Sequence, residues 1–260
     1  MRFTFYKYQG TGNDFIIVDD RATRFPADDS SYIKKCCDRR FGIGADGLIL
    51  IQASTTVDFK MLYFNADGRE GTLCGNGARC AVAFTKRLGI IEKTTTFEAT
   101  DGLHSASIDA NKIALRMQDL TTIKTTETYT FLDTGSPHHV EMVAQLDTFP
   151  VVEKGRIIRY GAPYFDAGTN VNFVEQIDDS TFAIRTYERG VEDETLSCGT
   201  GATAVAIAVH NNGLTTAEHL RIKVEGGWLE VSFNCQSKPH YTSIDLIGPA
   251  TFVFKGVMDE

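Results

Sequence analysis

Two cysteines in this chain occupy matching settings. Thr72-Leu73-Cys74-Gly75-Asn76-Gly77-Ala78 and Leu196-Ser197-Cys198-Gly199-Thr200-Gly201-Ala202 share a Cys-Gly-x-Gly-Ala text at an offset of 198 − 74 = 124 residues. Each copy leads into an alanine-rich segment that reads as a helix, so each cysteine stands at a helix start. A helix N-terminus or a neighbouring cation lowers a thiol from its ordinary ionisation near roughly pH 8.5. The Gly-x-Gly that follows lets backbone N–H groups form an anion-binding nest suited to a carboxylate. Inverting an amino-acid α-carbon means taking a proton from one face and delivering one to the other, which requires two acid/base groups. Donors held at the carboxylate also carry the charge that develops on deprotonation, so no imine-forming cofactor is required. A lone cysteine at a glycine turn is ordinarily a small core residue. Alanine or serine would pack there equally well, however, so cysteine in both copies of a repeated turn favours chemistry. Cys36, Cys37, Cys80 and Cys235 have no such setting; Cys80 falls within the first helix and is expected in its core.

The elements that must position these thiols are mostly strands. Short β-rich runs separated by turn residues recur at 3–8, 15–19, 48–52, 59–64, 95–99 and 112–117, and again at 140–145, 171–176, 182–187, 221–225, 228–233 and 242–247. Two segments break the alternation, 78–88 and 202–212, and are expected to be helices apolar around most of their circumference, hence buried. Gly89 and Gly213 mark their ends. Asn65-Ala66-Asp67-Gly68 and Glu188-Arg189-Gly190 precede the two cysteines at comparable distances. The pattern reads as an internal duplication: two related halves, each a sheet curled around one helix, presenting their two cysteine turns to a shared ligand.

The chain has 260 residues, 42% hydrophobic and 23% charged, the composition of an ordinary globular protein. Its formal net charge of −8 and the lack of any Lys/Arg-rich run argue against nucleic acid or an anionic membrane as partner and for a small molecule. No stretch has the apolar length of a membrane span, and the start lacks the order of a signal peptide, so a cytoplasmic protein with free thiols is expected. No Cys-x-x-Cys occurs, and the six histidines fall in no zinc-like spacing, so no metal is expected.

Six motifs in order, QGTGNDF (9–15), FNADG (64–68), CGNGARC (74–80), GTNVNFV (168–174), YERG (187–190) and CGTGA (198–202), resemble the diaminopimelate epimerase family across nearly the whole chain. The resemblance implies interconversion of LL- and meso-diaminopimelate in lysine and cell-wall precursor synthesis without pyridoxal phosphate or other cofactor, and a homodimer. It implies an α+β fold of two pseudo-symmetric domains, each a curved, mostly antiparallel sheet around a central helix. These would be residues 1–117 with 249–260, and 118–248, the final strand at 251–255 returning to the first domain. Carried over by motif, Cys74 and Cys198 match the acid/base pair. Gly75 and Asn76, with Gly199 and Thr200, match the carboxylate-binding helix starts, and Asn13, Asn65, Asn170 and Arg189 match substrate contacts. Arg189 would clamp the remote carboxylate; Glu188 matches a residue near the substrate ammonium, and His138 a histidine near the site. Without the resemblance, Glu188 and Arg189 read as a solvated pair and His138 as a turn histidine. Two positions depart from many relatives: Gly47 where they carry glutamine, which removes a possible contact, and Ser136 where they carry asparagine, which shortens one.

Three rivals remain. A proline or hydroxyproline racemase-like enzyme has no remote carboxylate to bind, so Arg189 with Asn65 and Asn170 argues for the longer substrate. A phenazine-synthesis-type isomerase lacks the cysteine pair. A catalytically silent binding relative would hold ligand without exchanging its α-proton.

Overall fold

The computed structural model describes residues 2–259. The chain divides into two compact units: the first runs through Leu115 and takes up the chain again from Gly248, and the second is Arg116–Ile247.

The first unit contains β1 (Arg2–Gly10), β2 (Asn13–Asp19), α1 (Ser30–Cys37), β3 (Gly47–Gln52), β4 (Phe59–Asn65), α2 (Gly75–Arg87), β5 (Thr94–Ala99), β6 (Gly102–Asp109) and β7 (Lys112–Arg116). The second contains β8 (Ile123–Thr125), β9 (Thr130–Asp133), β10 (Pro137–Met142), α3 (Val151–Tyr160), β11 (Asn170–Asp178), β12 (Thr181–Glu188), β13 (Asp193–Thr195), α4 (Gly199–Asn211), β14 (His219–Val224), β15 (Gly227–Ser237) and β16 (His240–Pro249). The last strand, β17 (Thr251–Asp259), lies antiparallel to β1 in the first unit.

The two units repeat one topology. In the first, β1 pairs antiparallel with β2, β2 parallel with β3, β3 antiparallel with β4, and β4 parallel with β5, which continues antiparallel into β6 and β7. The second runs β9, β10, β11, β12, β14, β15, β16 with the same sequence of senses. In both, a parallel pair is bridged by a short helix (α1, α3) and the next by the long one (α2, α4). A duplicated ancestor explains this coincidence.

Burial follows from the pattern. Phe15–Val18 of β2 and Leu48–Ile51 of β3 are unbroken buried runs, as expected for strands covered on both faces. β14, which lies between β12 and β15 and packs one face on α4, alternates exposed and buried. Helix α2 touches β1, β2, β3, β4, β6 and β17, and α4 touches β9, β10, β11, β12, β14 and β15. Each long helix is therefore wrapped by its own sheet. Residues 201–210 of α4 are all buried, and Val205, Ile207 and Val209 each contribute roughly 1.5–3 kcal/mol by leaving water.

The structure adds β6, β8, β9 and β13, which were not among the expected strands, and corrects the expected helices in two respects. The long helices begin three residues earlier than 78 and 202, at Gly75 and Gly199, with the cysteines themselves at the N-cap. Glycine reads as turn, but its helical penalty matters least in a first turn, where N–H groups have no intrahelical partner. The short helices α1 and α3 were not expected. In α1 only Ile33, Cys36 and Cys37 are buried, too few to show a period, and its start depends on Asp29 accepting from the Tyr32 amide. In α3 the apolar signal is broken by Gly155, which is required because a Cβ there would lie 2.4 Å from Tyr187 Cβ.

Candidate active site

Both cysteines have extended N-cap backbone, φ −93°, ψ 117° at Cys74 and φ −119°, ψ 111° at Cys198. At Cys198 this geometry sets the sulfur against the Gly201 amide, whereas the Cys74 side chain makes no cap bond to its helix. Burial pushes the Cys37 and Cys80 thiols up to about 12, so those two remain neutral packing groups.

In the first unit the Cys74 sulfur donates to Asn13 Oδ1 at 3.7 Å. That oxygen also accepts from Asn76 Nδ2 at 3.2 Å, and Asn13 Nδ2 donates to Asp46 at 2.6 Å. The Asn13 amide is thereby fixed, with its carbonyl toward the thiol. Asn76 is buried, and its Oδ1 accepts from Arg79 at 3.0 Å. Arg79 is fully buried in α2 and also donates to Thr11 Oγ1, Gly75 O and Pro249 O. Its hydrogen bonds go to neutral acceptors, and burial lowers its pKa. The neighbouring charges balance one another. Arg39 bridges Asp14 and Asp46, and Lys7 pairs with Asp14. Burial alone would raise the Asp14 pKa, but the Arg39 and Lys7 hydrogen bonds outweigh it and hold this carboxyl well below the usual range.

Gly47 and Asn65 are cross-strand partners, and Phe15 is Gly47's neighbour on the other side. By two-residue alternation Asn13, Phe15, Gly47, Tyr63 and Asn65 share one sheet face. The space left by Gly47 is filled by Tyr63: a Cβ at position 47 would lie 2.6 Å from its ring. The departure at Gly47 thus exchanges a side chain for a neighbour's ring.

In the second unit, Cys198 Sγ accepts from the Gly201 amide at 3.4 Å and lies 3.5 Å from Thr200 Oγ1. Behind Thr200, its hydroxyl is 2.9 Å from His138 Nε2 and 3.2 Å from Ser136 Oγ, which is itself 3.0 Å from His138 Nε2. Asn172 Nδ2 donates to His138 Nδ1 at 3.1 Å and to His139 O at 2.9 Å, while its Oδ1 accepts from Thr186. Nδ1 is therefore the acceptor and Nε2 carries the proton. Nε2 then donates toward Thr200, leaving the Thr200 hydroxyl free to donate to sulfur. Asn170 Nδ2 donates to Ser136 Oγ and Pro137 O, and its Oδ1 accepts the Arg189 amide at 2.8 Å. The Arg189 side chain is exposed and donates to Ala167 O; Glu188 accepts from Thr195 Oγ1 at 2.9 Å.

Burial, with the positive Arg189 second, pulls His138 down to about 3. A histidine held neutral in the native state costs stability as pH falls from its unfolded value near roughly 6.5, because only the unfolded chain takes the proton. We expect melting temperature to fall with pH between those values, and His138→Gln to flatten that dependence, as thermal scans over pH 7 to pH 4 will show. His210, also lowered by burial, and toward pH 4 the depressed carboxyls of Asp14, Asp19 and Glu192 contribute to the slope that remains.

Asn13, Gly75 and Asn76 thus gather at Cys74, with Asn65 and Gly47 on the same sheet face. Ser136, His138, Asn170, Gly199, Thr200 and Arg189 belong to the structure around Cys198, and Glu188 adjoins through β12. Tyr63, Arg79 and Asn172 were missed. Arg79 stood within CGNGARC and Asn172 two residues after Asn170, spacing that a two-residue strand period places on one face. Among the described residues no three His, Cys, Asp or Glu side chains converge as a metal ion would require, and no helix is long and apolar enough to cross a membrane.

The family model described as diaminopimelate epimerase matches residues 5–122 and 130–253. The chain belongs to the diaminopimelate epimerase family. It is 55% identical over 251 residues to the diaminopimelate epimerase of Flavobacterium psychrophilum, covering 96% of this chain and 98% of that one. With the diaminopimelate epimerase of Chlorobaculum tepidum it shares 42% identity over 258 residues, again 96% and 98%. Among solved structures, a PhzF-family phenazine biosynthesis protein of Bacillus anthracis aligns with TM-score 0.80 at 16% identity over 100% of both chains. A hydroxyproline epimerase of Agrobacterium vitis aligns with TM-score 0.70 at 15% identity, over 99% of this chain and 92% of that one. Such distant likenesses show the two-domain, sheet-rich fold that the diaminopimelate epimerase family shares with them, and no more.

Proposed function

We propose that the protein epimerises LL-diaminopimelate to meso-diaminopimelate, with Cys74 and Cys198 as the two acid/base groups. The observation that carries the reading is the repeated helix start: in each unit a cysteine is the N-cap of a buried helix, inside a family match spanning both units. One cysteine, as thiolate, takes the α-proton, and the other, as thiol, delivers a proton to the opposite face. The electron pair released from the C–H bond is held on the α-carboxylate by the amides of Gly75, Asn76, Gly199 and Thr200, then returns to carbon as the new C–H bond forms. Asn13, with its carbonyl toward the Cys74 thiol, sets the direction of that S–H. Thr200, backed by His138 and Asn172, offers its O–H to the Cys198 sulfur when that sulfur is ionised. Asn65, Asn170 and Arg189 hold the remote end, with Glu188 toward an ammonium.

The test is turnover of purified protein on LL-diaminopimelate with nothing added, followed by separation of stereoisomers, beside the same incubation with trans-4-hydroxy-L-proline. The meso isomer should form and hydroxyproline should persist unchanged. Turnover of hydroxyproline with diaminopimelate untouched would replace this reading with the shorter-substrate one.

A further inference from the structure

Tyr63 lies in a slot made by two glycines. A Cβ at Gly47 would stand 2.6 Å from its Cε2 and 3.2 Å from its hydroxyl, and a Cβ at Gly71 would stand 3.0 Å from its Cδ1 and Cε1. At Gly47 a Cβ would also stand 2.6 Å from Phe64 O, so backbone and ring together require glycine there, and at Gly71 a Cβ would press the ring by a few tenths of an ångström. Phe15 meets it edge-on, with ring centroids 6.2 Å apart. Held this way, the Tyr63 hydroxyl donates to Asn65 Oδ1 at 3.0 Å. Asn65 is the last residue of β4 and is exposed; its Nδ2 lies beside Gly71, where a Cβ would stand 3.0 Å away, and the hydroxyl engages the opposite, carbonyl end of the amide. A carboxylate ligand needs the NH₂ edge, because the carbonyl edge would oppose it charge to dipole.

We propose that Tyr63 is a positioning residue for substrate recognition: seated between Gly47 and Gly71, it holds the Asn65 carbonyl so that the amide N–H groups face a substrate carboxylate. The inference rests on Asn65 being a substrate contact. It also accounts for Gly47, since the glycine that forgoes a side chain toward the ligand admits the ring that orients a neighbouring amide.

Tyr63→Phe keeps the ring and removes only the hydroxyl, so its melting temperature should match that of the parent. KM for diaminopimelate should rise about three- to tenfold, the factor carried by a single hydrogen bond. The turnover number should stay within about twofold, since binding and not proton transfer is weakened. A role merely in packing is separated by the double-mutant cycle with Asn65→Ala. If Tyr63 acts through Asn65, removing the hydroxyl in the Asn65→Ala background changes KM by less than about 1.5-fold. A parental KM in Tyr63→Phe, or an equal rise in KM with and without the Asn65 amide, would overturn the proposal. Failure of the functional reading is distinct, because the parent protein itself would then not turn over diaminopimelate.

Discussion

Cys74→Ala and Cys198→Ala are each expected to lower epimerisation by at least about a thousandfold, within the range that a positioned proton carrier supplies. The losses should be similar in the two variants, because a two-base inversion fails when either face lacks its group. Their stabilities should differ. Cys198 accepts the Gly201 amide as a true side-chain cap, whereas Cys74 makes no cap bond and donates to Asn13 instead. Cys198→Ala is therefore expected to lose about 0.5–1 kcal/mol and Cys74→Ala less. Stereoisomer assays beside urea unfolding of both variants read the two effects separately. Substantial epimerisation by either variant would contradict the assignment.

The largest stability effect is expected at Arg79→Met. Deleting a buried cation relieves its desolvation, which by itself would stabilise. Against that, Asn76 Oδ1, Thr11 Oγ1 and Pro249 O each lose a charged donor inside the first unit, at about 1.5–3 kcal/mol for a hydrogen bond to a charged group. The acceptors outnumber the single relieved charge, so a net loss of about 2–4 kcal/mol is expected in urea unfolding. Activity should fall too, because Asn76 is the link between Arg79 and the Asn13 amide that faces the Cys74 thiol. A methionine variant as stable as the parent would show that the guanidinium is not what orders this helix start.

Much of this was legible in the sequence for a physical reason. α4 stood out because a helix wrapped by strands is apolar on nearly every side; α2 broke the two-residue alternation as well, but it is not apolar all round, since it buries Asn76, Arg79 and Thr85 and ends on Lys86 and Arg87. The cysteines stood out because the same turn was written twice. What was not legible depended on neighbours brought together by sheet register. Gly47 read as a lost contact because nothing in the linear text sets Tyr63 over it; that requires the pairing of β3 with β4. Asn172 was passed over for Asn170, although it is Asn172 whose amide sets the His138 tautomer. Arg79 drew no reading of its own within CGNGARC, since a sequence does not say that a guanidinium is buried. The short helices were lost to an interrupting glycine at 155 and to an N-cap, Asp29, that alone does not mark a helix.

The two-base claim is tested most directly by following deuterium during the first turnovers of LL-diaminopimelate in D₂O, with mass spectrometry of product and recovered substrate. If Cys74 and Cys198 serve opposite faces, the meso product takes its α-hydrogen from the solvent-equilibrated thiol and carries deuterium from the outset. Recovered LL substrate, whose proton left to the other thiol, stays protiated at early times. Deuterium entering recovered substrate as fast as product, or product retaining the original hydrogen, would mean a single base serving both faces and would contradict the account.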